Sequence, residues 1–182
     1  MTDLARIESS VRQTFASVVW SHKIQEKQAD IYTDSFHLLE ILRIAAASLT
    51  SAGIVSIIFY DELWIKIASA LISFVTIFIS SFFKTFDLRT MISKHKGTAN
   101  KLLSIRDDLH ILLLQIKLRK DDPSVLIENY KDLMNQLHKI YDEAPSTTDK
   151  AVKKARKALH IDNDNTFTET EIDSFLPKGF NG

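Results

Sequence analysis

The sequence contains no cysteine, only four glycines and only three prolines among its 182 residues. Without cysteine there can be no disulfide, no thiolate metal site and no cysteine nucleophile. So few glycines and prolines leave little material for tight β-turns or a phosphate-cradling loop, and no G-x-S-x-G, G-x-G-x-x-G or G-K-[ST] pattern occurs. An excess of either charge is missing too. Twenty-three Lys and Arg balance 23 Asp and Glu at a pI near 7.0, which argues against general nucleic-acid binding. The first residues, Met1-Thr2-Asp3-Leu4-Ala5-Arg6-Ile7-Glu8, are polar and mixed in charge and lack the apolar core of a cleaved signal peptide. What remains abundant is Leu, Ile, Lys, Ala and Ser, a composition that favours helices throughout.

Two segments dominate the hydropathy. Ile44 to Tyr60 and Ile67 to Phe83 are 17 residues each without one Asp, Glu, Lys, Arg or His, separated by the short charged turn Asp61 to Lys66. As helices each covers roughly 26 Å, close to the hydrocarbon thickness of a bilayer once flanking residues are added. They predict a transmembrane helical hairpin. Lys and Arg asymmetry orients it: Arg43 precedes the pair and Lys84, Arg89, Lys94 and Lys96 follow it, whereas the turn holds Asp61, Glu62 and a single Lys. Both termini are therefore expected in the cytoplasm, with Tyr60 and Trp64 in an interfacial belt on the far side. In the opening turns of the first span, Glu40 and Arg43 lie three apart, close enough to pair.

The spans differ in their small and polar residues. In the first, Ala45, Ser48, Ala52 and Ser56 are spaced mostly by four, a pattern that lets helices approach closely in lipid. In the second, Ser69, Ser73, Thr76 and Ser80 step by four, three and four, with Lys66 and Lys84 bracketing the same register. Such a stripe either lines a narrow aqueous path in an oligomer or returns its hydroxyls to its own or a neighbouring helix, and spacing leaves both readings open.

The flanks read as soluble helices. Residues 1–37 form an amphipathic helix with Ile7, Val11, Phe15 and Val18 on one face and Arg6, Arg12, Lys23, Glu26 and Lys27 on the other, running on toward the membrane. Residues 38–87 hold the hairpin, with spans near 38–60 and 64–84. Residues 88–144 form a cytoplasmic helical hairpin with a break expected near Gly97. Its stripes are Leu102, Ile105, Leu109, Leu112 and Ile116, then Leu126, Tyr130, Leu133, Leu137 and Ile140. These are the candidate assembly residues. Asp122 and Pro123 mark a helix start and Pro145 a stop. Residues 145–182 hold a basic helix around Lys150, Lys153, Lys154, Arg156 and Lys157, then a capping-box pair, Thr168 and Glu171, before a last helical turn.

Catalytic and metal signals are absent. The run from Asp162 to Phe167 lacks the glycine at position six and the glutamate at position twelve of a calcium loop, and the six histidines are scattered. His22 and Glu26 stand one turn apart, which fits a helix surface. No cofactor is expected, and no enzyme.

The stretch Val18 to Asp30 (VVWSHKIQEKQAD), followed at once by the two spans, resembles the SLATT family of small bacterial two-transmembrane effectors. The likeness continues through Ile140 to Pro145 (IYDEAP) and Glu171 to Pro177 (EIDSFLP), nearly the whole chain. The resemblance implies a role in bacterial conflict systems, beside enzymes that make cyclic oligonucleotide second messengers, as an oligomeric inner-membrane pore that kills or arrests an infected cell. A nucleotide synthase or sensor would then be a partner, along with the bilayer and other copies of the chain, but no nucleic acid. A non-conducting anchor that recruits a signalling enzyme is the alternative. The resemblance carries no catalytic residues.

Overall fold

The computed structural model describes residues 3–59, 62–119, 121–162 and 164, with side chains for all of these except residues 3, 57–59 and 83–85. Five helices and no strand are found among the described residues: α1 (Asp3–Phe59), α2 (Leu63–Thr85), α3 (Leu88–Leu118), α4 (Pro123–Glu143) and α5 (Asp149–His160).

Helix α1 is the spine against which every other helix packs. Its 57 residues contain no proline and a single glycine, Gly53, so nothing breaks the hydrogen-bond ladder and it runs about 85 Å. The amphipathic helix and the first apolar span expected from the sequence are thus one continuous helix. Helix α2 begins at Leu63, one residue ahead of the expected start of the second span near 64. The break expected at Gly97 does not occur. That glycine sits in mid-helix with open space beside it, and α3 continues through it, since one glycine in a long packed helix costs only about 1 kcal/mol.

The local stop and start signals act as their chemistry requires. Asp122 caps α4 by accepting from the Ser124 amide at 2.8 Å, with Pro123 in the first turn, where its missing N–H costs nothing. The Ser124 hydroxyl and amide hold the Asp122 carboxyl below its ordinary range. Helix α4 ends at Glu143, two residues before Pro145. Thr148 caps α5. At the α3 end Arg119 takes a left-handed conformation, φ 49°, to close the helix.

The core lies among α1, α3 and α4. Ile7, Val11 and Val18 meet Leu102, Ile105, Leu109, Leu112 and Ile116, with Leu126 and Leu137 closing the third side and Phe15, Tyr130, Leu133 and Ile140 packed at its edge. Leu102, Leu109 and Leu126 are fully buried, each worth about 1.5–3 kcal/mol of burial. The two stripes read as assembly candidates therefore meet each other and α1 within a single chain.

Candidate functional site

The apolar ends of α1 and α2 are both long and apolar enough to cross a membrane, and only 6% and 11% of their apolar windows are buried. A helix in a soluble core would be mostly buried; here Ile41, Ile44, Leu49, Ile54, Phe74 and Ile77 lie open.

Between these two helices Gly53 marks a close approach. A Cβ added there would run into the Ser69 side chain, 3.1 Å from its Cβ, so only glycine admits α2 at this distance. Ser69 is buried and Ser73 and Thr76 are half-buried in this contact, whereas Ser80 and Lys66 are exposed. The Lys84 side chain lies outside the described residues, as do Tyr60 and Asp61. Hydroxyls in both helices return to their own backbone: Thr76 donates to the Ile72 carbonyl at 3.0 Å, Ser80 to Thr76 at 2.8 Å, and Ser56 to Ala52 at 2.9 Å. On the spanning part of α1 the half-buried positions are Leu39, Glu40, Arg43, Ala46, Thr50, Gly53 and Ser56. Ala45, Ser48 and Ala52 are exposed and Ser56 is half-buried, so the small-residue stripe faces mostly away from α2.

A collar of charge rings the base of this pair. Arg43 donates to Glu40 at 2.5 Å, the pairing their spacing predicts. Arg89 lies 4.8 Å over the Phe36 ring, and Asp87 caps α3 by accepting from the Thr90 amide at 3.0 Å. The Thr90 hydroxyl and amide hold the Asp87 carboxyl below its ordinary range. A hollow of about 350 Å³ is lined by Phe36, Glu40, Arg43, Asp87, Leu88 and Arg89.

Next to the collar lies a buried polar layer that sequence reasoning missed. His22 is 8% exposed, Lys23 3%, Gln25 7%, and Gln28 and His95 are fully buried. The helix-surface reading of His22 and Glu26 is thus corrected. His22 turns inward, and its Nδ1 meets the Ala99 carbonyl at 2.9 Å, which requires that nitrogen to donate. Lys23 is the residue that bonds Glu26, at 2.7 Å, with Asp164 3.5 Å away. His95 Nδ1 donates to Gln25 Oε1 at 2.5 Å, Gln25 Nε2 donates to the Pro145 carbonyl at 3.2 Å, and Gln28 Oε1 accepts from the Thr148 amide and hydroxyl, both at 2.8 Å. The Tyr32 ring lies 5.4 Å from that of His95. Among the described residues two buried atoms in the layer have no partner, His95 Nε2 and Gln28 Nε2. Burial pushes His95 below its ordinary pKa, so the ring is held neutral with Nε2 as a bare acceptor.

The signal that would have found the layer is register. The stripe Ile7, Val11, Val18 continues at three-four spacing through His22, Gln25, Ala29 and Tyr32, and on α3 it runs back from Leu102 through Thr98 to His95. Among the described residues no three His, Asp or Glu side chains converge to hold a metal ion. The capping-box residues Thr168 and Glu171 and most of the acidic run after Asp162 lie outside the described residues.

An all-helical chain with two exposed membrane-length helices on a compact helical base is the architecture of a small two-transmembrane protein. The family comparison makes this specific: residues 7–171 match the model of the SMODS and SLOG-associating 2TM effector domain family 4, and the chain belongs to that family. No curated protein and no solved structure matches it.

Proposed function

We propose that the protein is an oligomeric effector that forms or opens a pore in the inner membrane on a nucleotide second-messenger signal, leading to death or arrest of the cell. In this reading α1 and α2 cross the bilayer as a hairpin, both termini are cytoplasmic, and the chain performs no catalysis. The observation that supports it most is the division of α2 into a sealed and an open part. Ser69, Ser73 and Thr76 are tucked against α1, while Lys66 and Ser80 lie exposed on the same register. A modest rotation of α2 about its axis would turn the hydroxyls outward, and this stripe is the longest polar surface that α2 offers to wet a path. The exposed Ala45, Ser48 and Ala52 face of α1 is then available for close packing against a neighbouring subunit.

The back-bonded hydroxyls of Thr76 and Ser80 favour a second reading, a non-conducting anchor whose helical base recruits a signalling enzyme. Single-channel recording and liposome leakage with the full chain and a cyclic oligonucleotide separate the two. Conductance abolished by Ser69→Leu, Ser73→Leu, Thr76→Leu and Ser80→Leu together supports the pore. Undiminished toxicity of that variant, or full function after replacing 38–87 with an unrelated membrane anchor, defeats it.

A further inference from the structure

Helix α5 carries a one-sided run of positive charge. Lys150, Lys153, Lys154 and Lys157 follow at spacings of three, one and three, so they form one stripe. All four are exposed, and they alone line a cleft of about 430 Å³. Lys154 reaches Asp34 at 3.7 Å; among the described residues the other three have no carboxylate within ion-pairing distance.

The position of the stripe is fixed from behind. Ala151, Ala155 and Ala158 are buried against α1, where Ala29 is also fully buried, and side chains this small bring the helices close together. Gln28 holds Thr148 at the head of α5. Lys154 and Lys157 also line a second cleft with Lys27, Asp30, Thr33, Asp34, Asp162 and Asp164, beside the part of α1 that precedes Leu38. Leu38, the first exposed apolar residue beyond it, is four residues past Asp34, about 6 Å along the helix. A headgroup layer is roughly 5–8 Å deep on each side of the hydrocarbon, so the Lys154–Asp34 pair falls within it.

We propose that α5 is a membrane-docking helix whose lysine stripe rests on the anionic phosphate headgroups surrounding α1 at Leu38. The proposal rests on the reading that α1 and α2 cross a bilayer. Lysine is well matched to such a surface, because its ammonium is a compact point charge for phosphate oxygens and its alkyl stem reaches along apolar surface. Because Lys150, Lys153 and Lys157 make no ion pair among the described residues, their attraction is available to the lipid surface.

The test uses the full chain in lipid nanodiscs of phosphatidylcholine alone or with added phosphatidylglycerol. A water-soluble acylating reagent reports each amine by mass spectrometry, with the exposed Lys131 and Lys139 of α4 as references. Phosphatidylglycerol should slow acylation of the four α5 lysines several-fold, leave the references unchanged, and lose its effect in high salt. In the triple variant Lys150→Gln, Lys153→Gln, Lys157→Gln, which keeps the Lys154–Asp34 pair, Lys154 should lose its lipid protection. Equal rates in both discs overturn the proposal, as does protection by free inorganic phosphate in neutral discs without protection by phosphatidylglycerol. A chain that fails to enter discs overturns the membrane reading and this proposal together; one that enters with equally reactive lysines overturns only this one.

Discussion

On one face of α1, Ile7, Val11 and Val18 are followed in the same register by His22, Gln25 and Ala29, and both groups are buried, yet they meet different chemistry. The first group lies in the leucine-rich core with Leu102, Leu109 and Leu112. In the second, His22 bonds the Ala99 carbonyl and Gln25 bonds His95 and the Pro145 carbonyl, while the neighbouring Gln28 holds Thr148. The apolar part supplies stability without demanding a particular partner atom. In the polar part each group depends on one named neighbour, which specifies how α1, α3 and the segment leading into α5 line up. That specification is concentrated next to the membrane-length helices.

The largest test of this contrast is Leu109→Ala. It should cost about 2–5 kcal/mol in denaturant unfolding of the purified chain, the range for emptying a fully buried leucine site; a loss under that range would mean the core collapses around the gap. Gln25→Ala comes next, at about 1–3 kcal/mol, because it leaves the His95 Nδ1–H buried without an acceptor. Gln25→Leu with His95→Leu should cost less than the sum of the single changes, and a double-mutant cycle that proves additive would show the layer uncoupled.

Acid sensitivity sharpens the same comparison on a smaller scale. Burial places His95 below its ordinary value of 6.5 in the folded chain, so the unfolded chain takes up the proton first. Above that value both states are neutral and pH has no effect through this group. Below it stability falls, until the folded His95 is protonated as well. His95→Leu should flatten this acid limb of a stability-against-pH curve, and an unaltered limb would assign it elsewhere. The smallest effect is expected at Lys101 and Glu143, a 2.7 Å pair whose side chains are 56% and 68% exposed. Removing either should leave the denaturation midpoint nearly unmoved, because solvent screens an exposed pair, in contrast to Gln25, whose bonds to His95 and Pro145 lie in a buried setting.

What could be read from the sequence follows the range of the forces involved. The caps at Asp122 and Pro123, the stop before Pro145 and the Glu40–Arg43 pair are local, and the structure has them where the residues predict. The apolar stripes were legible as buried faces, but Leu102 to Ile116 has the same spacing whether its partner is α1 of the same chain or another subunit. Only the folded chain shows α1 filling that place. Lys23 and His22 were misread because charge ordinarily marks solvent, and their burial depends on Ala99, Glu26 and Asp164, two of them distant in sequence. The contact at Gly53 was missed for a related reason. Small residues occur on two faces of α1, and spacing alone favoured the Ala45, Ser48 and Ala52 face over the one that α2 covers.

The unbroken course of α1 has a mechanical meaning. From Asp3 to Ala52 it has no residue at which one part of the rod can turn while the rest stays still, so it behaves as a drive shaft without a joint. A rotation imposed among the leucines around Val11 would therefore have to pass along the same rod to the tight contact between Gly53 and Ser69.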